Sequence, residues 1–168
     1  GYDLKELVRV ITISTTYQLS SVPNEHNGRD KHYYSRFHPK RLTAEVLFDS
    51  LNDLILARSN FGGLPVGTRA VCLPDNSYNS ANYFLSVFGR PDSSSACECE
   101  RSQEASLAQS LNLVNAKNVR EQLAHEEGRA AKLAADEGRD HAAEINSLYD
   151  QAFARLPRKS EIDVAVDY

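Results

Sequence analysis

Apolar residues recur every three or four positions through most of this 168-residue chain, and that spacing limits its fold more than any other feature. Leu4, Leu7, Val8 and Ile11 share one side of a helix expected over Tyr2 to Ile13. Leu47, Leu51, Leu54 and Ile55 repeat the pattern over Arg41 to Arg58, with Thr43 as N-cap and Asn60, followed by Gly62 and Gly63, as the stop. A third stripe of Ile145, Leu148, Tyr149, Ala152, Phe153 and Leu156 runs along Asp140 to Leu156. Against these stands a single β-like run, Thr68 to Leu73, which is too short and too solitary to build a sheet. The core must therefore lie between helices.

Glycine and proline cut the rest into short pieces. Thr15 to Lys40 contains Pro23, Gly28 and Pro39, follows neither period, and is expected to be an ordered connecting loop. Further helices are expected over Asn82 to Phe88, Ser106 to Val114, Asn118 to Glu126 and Gly128 to Ala135. A last one begins at Ser160, where Asp163 would complete a variant capping box. The expectation is a mostly α fold: one irregular helical domain over residues 1–168, with long ordered loops and at most one short β-hairpin or isolated strand. Helical pattern running to both ends reads as a cut into something longer.

Composition narrows the function classes. A chain that is 41% hydrophobic and 25% charged has the usual mixture of a soluble globular domain. The net charge of −4 and scattered basic residues leave no positive stripe, which argues against nucleic acid as a partner. No apolar run approaches the roughly 18 to 20 residues of a membrane span. Cys72, Cys97 and Cys99 are too few, and odd in number, for a disulfide framework.

The stretch SSSACECERS, residues 93–102, is the first candidate for chemistry. Thiolates bind zinc, but a structural site needs four ligands; no second cysteine pair exists, and Cys72, His26, His32 or His38 would have to complete the set in space. A Cys97–Cys99 disulfide would close a small strained ring, whereas Cys72 with either partner suits an oxidising compartment. A helix start and Arg101 would lower a thiol pKa, while Glu98 and Glu100 oppose it. Half-buried thiols in a packed loop are the remaining reading.

His32 to His38 encloses Tyr33, Tyr34, Arg36 and Phe37, residues that line sugar or anion sites and equally pin a loop to a core. Arg41 and Glu45 stand four apart at a helix opening and fit an internal ion pair that anchors the preceding loop. The chain has no nucleophile elbow, P-loop, dinucleotide fingerprint, His-Glu-x-x-His or haem-attachment motif, and no cofactor or metal is predicted.

Four strings taken in order resemble the planctomycete-specific C-terminal family catalogued as domain of unknown function 1553. They are TYQLSS at 16–21, YSRFHPKRLTAE at 34–45, FGRPD at 88–92 leading into CECERS at 97–102, and SLAQSLNLVN at 106–115. The resemblance implies a module that follows another uncharacterised domain, often with a cytochrome c-like and a carbohydrate-binding-type module, in large exported proteins. It places Cys99 and Arg101 on the family's Cys-x-Arg pattern and makes Cys97 a feature of this branch. The expected function is a helical scaffolding or binding module that packs on its upstream domain through its first and last helices, with complex carbohydrate or a cytochrome-bearing neighbour as further partners. The alternative is an enzyme or redox component of polysaccharide breakdown, its site formed where Tyr17, Arg36, His38, Cys99 and Arg101 converge with the upstream domain. Export to the periplasm or beyond follows from the same resemblance.

Overall fold

Helix caps and side-chain acceptors organise the described residues of this protein. The computed structural model describes residues 1–75, 77–78, 82–91, 106–115, 117–136, 138 and 140–167, and no strand occurs among them. The mostly α expectation holds. The chain divides into two compact units, Gly1–Arg41 and Leu42–Tyr168.

The first unit opens with α1, Leu4–Thr12, capped by Asp3, whose side chain accepts the Glu6 N–H at 3.0 Å. No residue of α1 is buried. The period-free segment that follows has no helix or strand, so its backbone donors need other acceptors. Short polar side chains supply them. Asn24 Oδ1 accepts from the His26 and Asn27 N–H groups, both at 2.9 Å, and Asn27 Nδ2 donates to the Ser35 carbonyl at 3.2 Å. Asp30 accepts from the backbone N–H of His32, Tyr33 and Ser35 at 2.9, 2.8 and 2.8 Å and from the Ser35 hydroxyl. These bonds bracket Tyr34, which holds the left-handed φ of 52° that a tyrosine seldom adopts.

At the centre of the second unit lies α2, Ala44–Ile55, which touches the 3₁₀ turn Ala70–Cys72 and the helices α3 (Tyr83–Val87), α6 (Arg129–Ala134) and α7 (His141–Phe153). Its buried residues are Ala44, Glu45, Phe48, Asp49 and Asn52. The leucine stripe read from the spacing is only half-buried. Polar residues can take the inner face because they arrive with partners. Asp49 accepts the N–H groups of Ala70 and Val71 at 2.7 and 3.1 Å, and Glu45 Oε1 meets Arg90 Nε at 3.3 Å. Around them Phe48, Phe61 and Phe84 pack with ring centroids 5.5 to 5.7 Å apart, alongside Ala44, Ala70 and Leu85.

Several local expectations change for identifiable reasons. The β-like run at 68–73 is a 3₁₀ turn, because the Asp49 carboxylate takes two of its donors where a strand would need a neighbour. Thr43 holds the N-cap position of α2 without a side-chain bond. That helix stops at Leu56, which adopts φ 58°, before Asn60 and the glycine pair are reached. Its Leu54 carbonyl accepts from Arg129 Nε.

Downstream, α4 (Leu107–Asn115) and α5 (Lys117–Leu123) precede α6, and α8 spans Lys159–Asp167. The capping interaction of α8 comes from Glu161, which accepts the Arg158 N–H at 2.7 Å, two residues earlier than the Ser160–Asp163 pair expected. Arg155 fixes α8 to α7: it donates to both Glu161 oxygens at 2.8 and 2.9 Å and lies over the Tyr149 and Phe153 rings.

Replacing Asp49 by Ala leaves two amide donors without an acceptor, one of them buried, and is expected to destabilise the chain by about 3 kcal/mol. Asp49→Asn, which keeps one acceptor oxygen, loses less. Urea unfolding followed by circular dichroism measures both, and equal stability of Asp49→Ala and the parent would refute the anchoring role.

Candidate functional site

The candidate residues divide between the two units. Tyr17, Arg36 and His38 belong to the first. Tyr17 is exposed and its N–H donates to Ser14 Oγ at 3.3 Å. Arg36 and His38 are half-buried two positions apart, and Arg36 Nη1 donates to the Ser21 carbonyl at 3.4 Å. The His38 ring meets Tyr34 edge-on at 6.2 Å. Arg36 Nε and His38 Nε2 are shielded from solvent and have no hydrogen-bond partner among the described residues. Cys97, Cys99 and Arg101 lie outside the described residues. Cys72 is an exposed free thiol. Among the described residues no group of three or more His, Cys, Asp or Glu is placed to hold a metal ion, and no helix is long and apolar enough to cross a membrane.

A residue to which the sequence reading assigned no role proves central. Gly89, at φ 86°, ends α3 with its N–H on the Ser86 carbonyl, and the Arg90 N–H reaches back to Leu85 O at 3.0 Å. This pair of bonds is a Schellman closure, and glycine suits its left-handed position. It turns the Arg90 side chain inward, to Glu45 and to the Asp75 carbonyl at 3.0 Å. The signal was present in Phe-Gly-Arg-Pro directly after a short helical pattern, where glycine and proline mark a helix end.

An apolar-walled concavity built from described residues belongs to the second unit. About 440 Å³ is enclosed by residues of α2, α3, α4 and α5, with Phe48, Leu51, Ile55, Phe84 and Leu123 on its walls. Two amides border it, Asn52 of α2 and Asn112 of α4. Asn52 Nδ2 and Asn112 Oδ1 are both shielded from solvent and without a hydrogen-bond partner among the described residues.

The sequence profile of the family described as Protein of unknown function (DUF1553) matches residues 1–168. The chain belongs to that family. No curated protein and no solved structure matches it. Two of the strings that carry the resemblance to DUF1553 fall on the polar centre of this chain: one ends at Glu45 and another contains Arg90. A third begins at Ser106 and runs through α4, which carries Asn112. The family strings thus lie on framework and cavity wall, without assigning a reaction.

In this DUF1553 chain the Asp30 hub has the clearest titration. Four hydrogen bonds, the Ser35 hydroxyl foremost, hold its carboxyl well below the ordinary value of 3.8. A depressed folded pKa stabilises fully above the unfolded value and is lost as pH falls toward the folded one. Backbone protection at His32, Tyr33 and Ser35 should therefore weaken between about pH 4 and pH 2. Asp30→Asn should be loosened already at neutral pH and lack this added acid dependence. Amide hydrogen-exchange protection factors measured across that range check both expectations.

Proposed function

We propose that this chain is a docking module of a larger exported protein, and that it holds the upstream domain of the same parent. The observation that carries the reading is the state of α1. Leu4, Leu7, Val8, Val10 and Ile11 are between 48% and 70% exposed although four of them share the helix's apolar face. Phe153 at the end of α7, Leu156 in the segment after it, and Val164 and Val166 on α8 are exposed as well. Apolar helix faces left open to water are the usual mark of an interaction surface. Apolar faces of this kind favour a packed protein neighbour over nucleic acid.

The family resemblance supports an upstream domain as the neighbour and an exported setting, with a cytochrome c-like module or complex carbohydrate as further partners. Exposed rings of Tyr17, Tyr33 and Tyr34 on the first unit suit stacking against sugars. The enzymatic alternative requires Tyr17, Arg36, His38, Cys99 and Arg101 to converge with groups of the upstream domain, so docking precedes chemistry in either case.

The test separates the parent into two chains, this one and its upstream part, and measures their affinity by calorimetry. Leu7→Ser combined with Ile11→Ser removes two apolar side chains from α1 and is expected to weaken association about 100-fold with helical content retained. Unchanged affinity would exclude α1 as the docking face.

A further inference from the structure

We infer that the cavity beside α2 is a binding site for a small, mostly apolar molecule that carries a secondary amide. Asn52 is 6% exposed, lines the cavity, and its Nδ2 has no acceptor among the described residues. Buried donors in folded proteins are rarely left without a partner, and each exception calls for a reason. A second exception borders the same space: Asn112 Oδ1, from a different helix, lacks a donor. Chance loss of a bond explains one orphan more readily than a complementary pair around one cavity.

The pair defines what would satisfy it. A carboxylate offers only acceptors and an ammonium only donors, whereas a secondary amide presents a carbonyl to Asn52 Nδ2 and an N–H to Asn112 Oδ1. The rest of the ligand meets Phe48, Phe84, Leu51, Ile55 and Leu123, so its body is apolar. Among the described residues of the lining Arg58 is the one charged side chain and sits exposed, which disfavours a cationic ligand. The volume of about 440 Å³ falls within the range of small-molecule sites.

The same assignment explains the half-buried state of the α2 stripe. Leu51, Leu54 and Ile55 belong to the helix at the centre of their unit, yet they face the cavity and await a covering group. Such apolar walls with a few convergent polar atoms are the composition of ligand pockets, whereas a packing defect has no reason to be polar on two sides.

Acetanilide and phenyl acetate are near-isosteric probes that differ in the amide N–H. Titrated into the 168-residue chain and followed by protein-observed NMR, acetanilide is expected to saturate one site in the millimolar range, with shifts at Phe48, Asn52 and Asn112. Phenyl acetate should bind about tenfold more weakly. Asn52→Leu should abolish the preference and melt no lower than the parent, since it removes an unpaired donor; should it fail to fold, Asn112→Leu on α4 gives the same reading. Absence of saturable acetanilide binding, equal affinity for both probes, or an amide preference that survives both substitutions overturns the assignment.

Discussion

Two carboxylates on the inner face of α2 hold the second unit together. Glu45 is 6% and Asp49 4% exposed, and polar groups buried this far need dedicated partners. Asp49 has two backbone donors and the Arg69 guanidinium at 3.5 Å, and Glu45 has Arg90. Each contact reaches from the helix to a segment with little regular structure of its own, at 70–71 and at 90. A buried charge missing its partner costs several kcal/mol, so the carboxylates dictate where those segments run. Phe61, Phe84 and Leu85 then fill the space the polar contacts have framed.

This arrangement explains which parts of the fold could be read beforehand. Helix existence was legible wherever apolar residues recurred at helical spacing, and α1, α3 and α7 lie within the stretches so marked. The inner face of α2 was not, because Glu45 and Asp49 look like a solvated face until their partners are known, and those partners lie 21 to 45 positions away. The 3₁₀ turn at 70–72 was misread for the same reason: Ala70, Val71 and Cys72 have strand-like side chains, and what bends them is a carboxylate from another element. Asp30 was passed over because a loop hub leaves no periodic trace, only a small acceptor followed by the donors it collects.

The candidate site was legible in part. Arg36 and His38 were singled out for residue type and fall together on one loop with shielded nitrogens, while Cys99 and Arg101 lie outside the described residues. The amides of the cavity carried no sequence signal at all. Asparagine in a helix reads as a weak helix former, and only the cavity that both border gives Asn52 and Asn112 a common environment.

The cavity also depends on how α2 ends. Leu56 turns left-handed, which leaves the last carbonyls of the helix in need of donors. Arg129 Nε takes the Leu54 carbonyl, and Gly128 lies so close that a Cβ there would stand 3.6 Å from the Ile55 carbonyl and 2.9 Å from that of His125. A cation at a helix C-terminus is favourable electrostatically, and here it also ties the start of α6 to the two residues that form part of the cavity wall. Leu54 and Ile55 are therefore fixed by their backbone, independently of whether their side chains are covered. A wall held in this way does not need a ligand to exist, so the space beside α2 persists where an unbraced apolar gap would collapse.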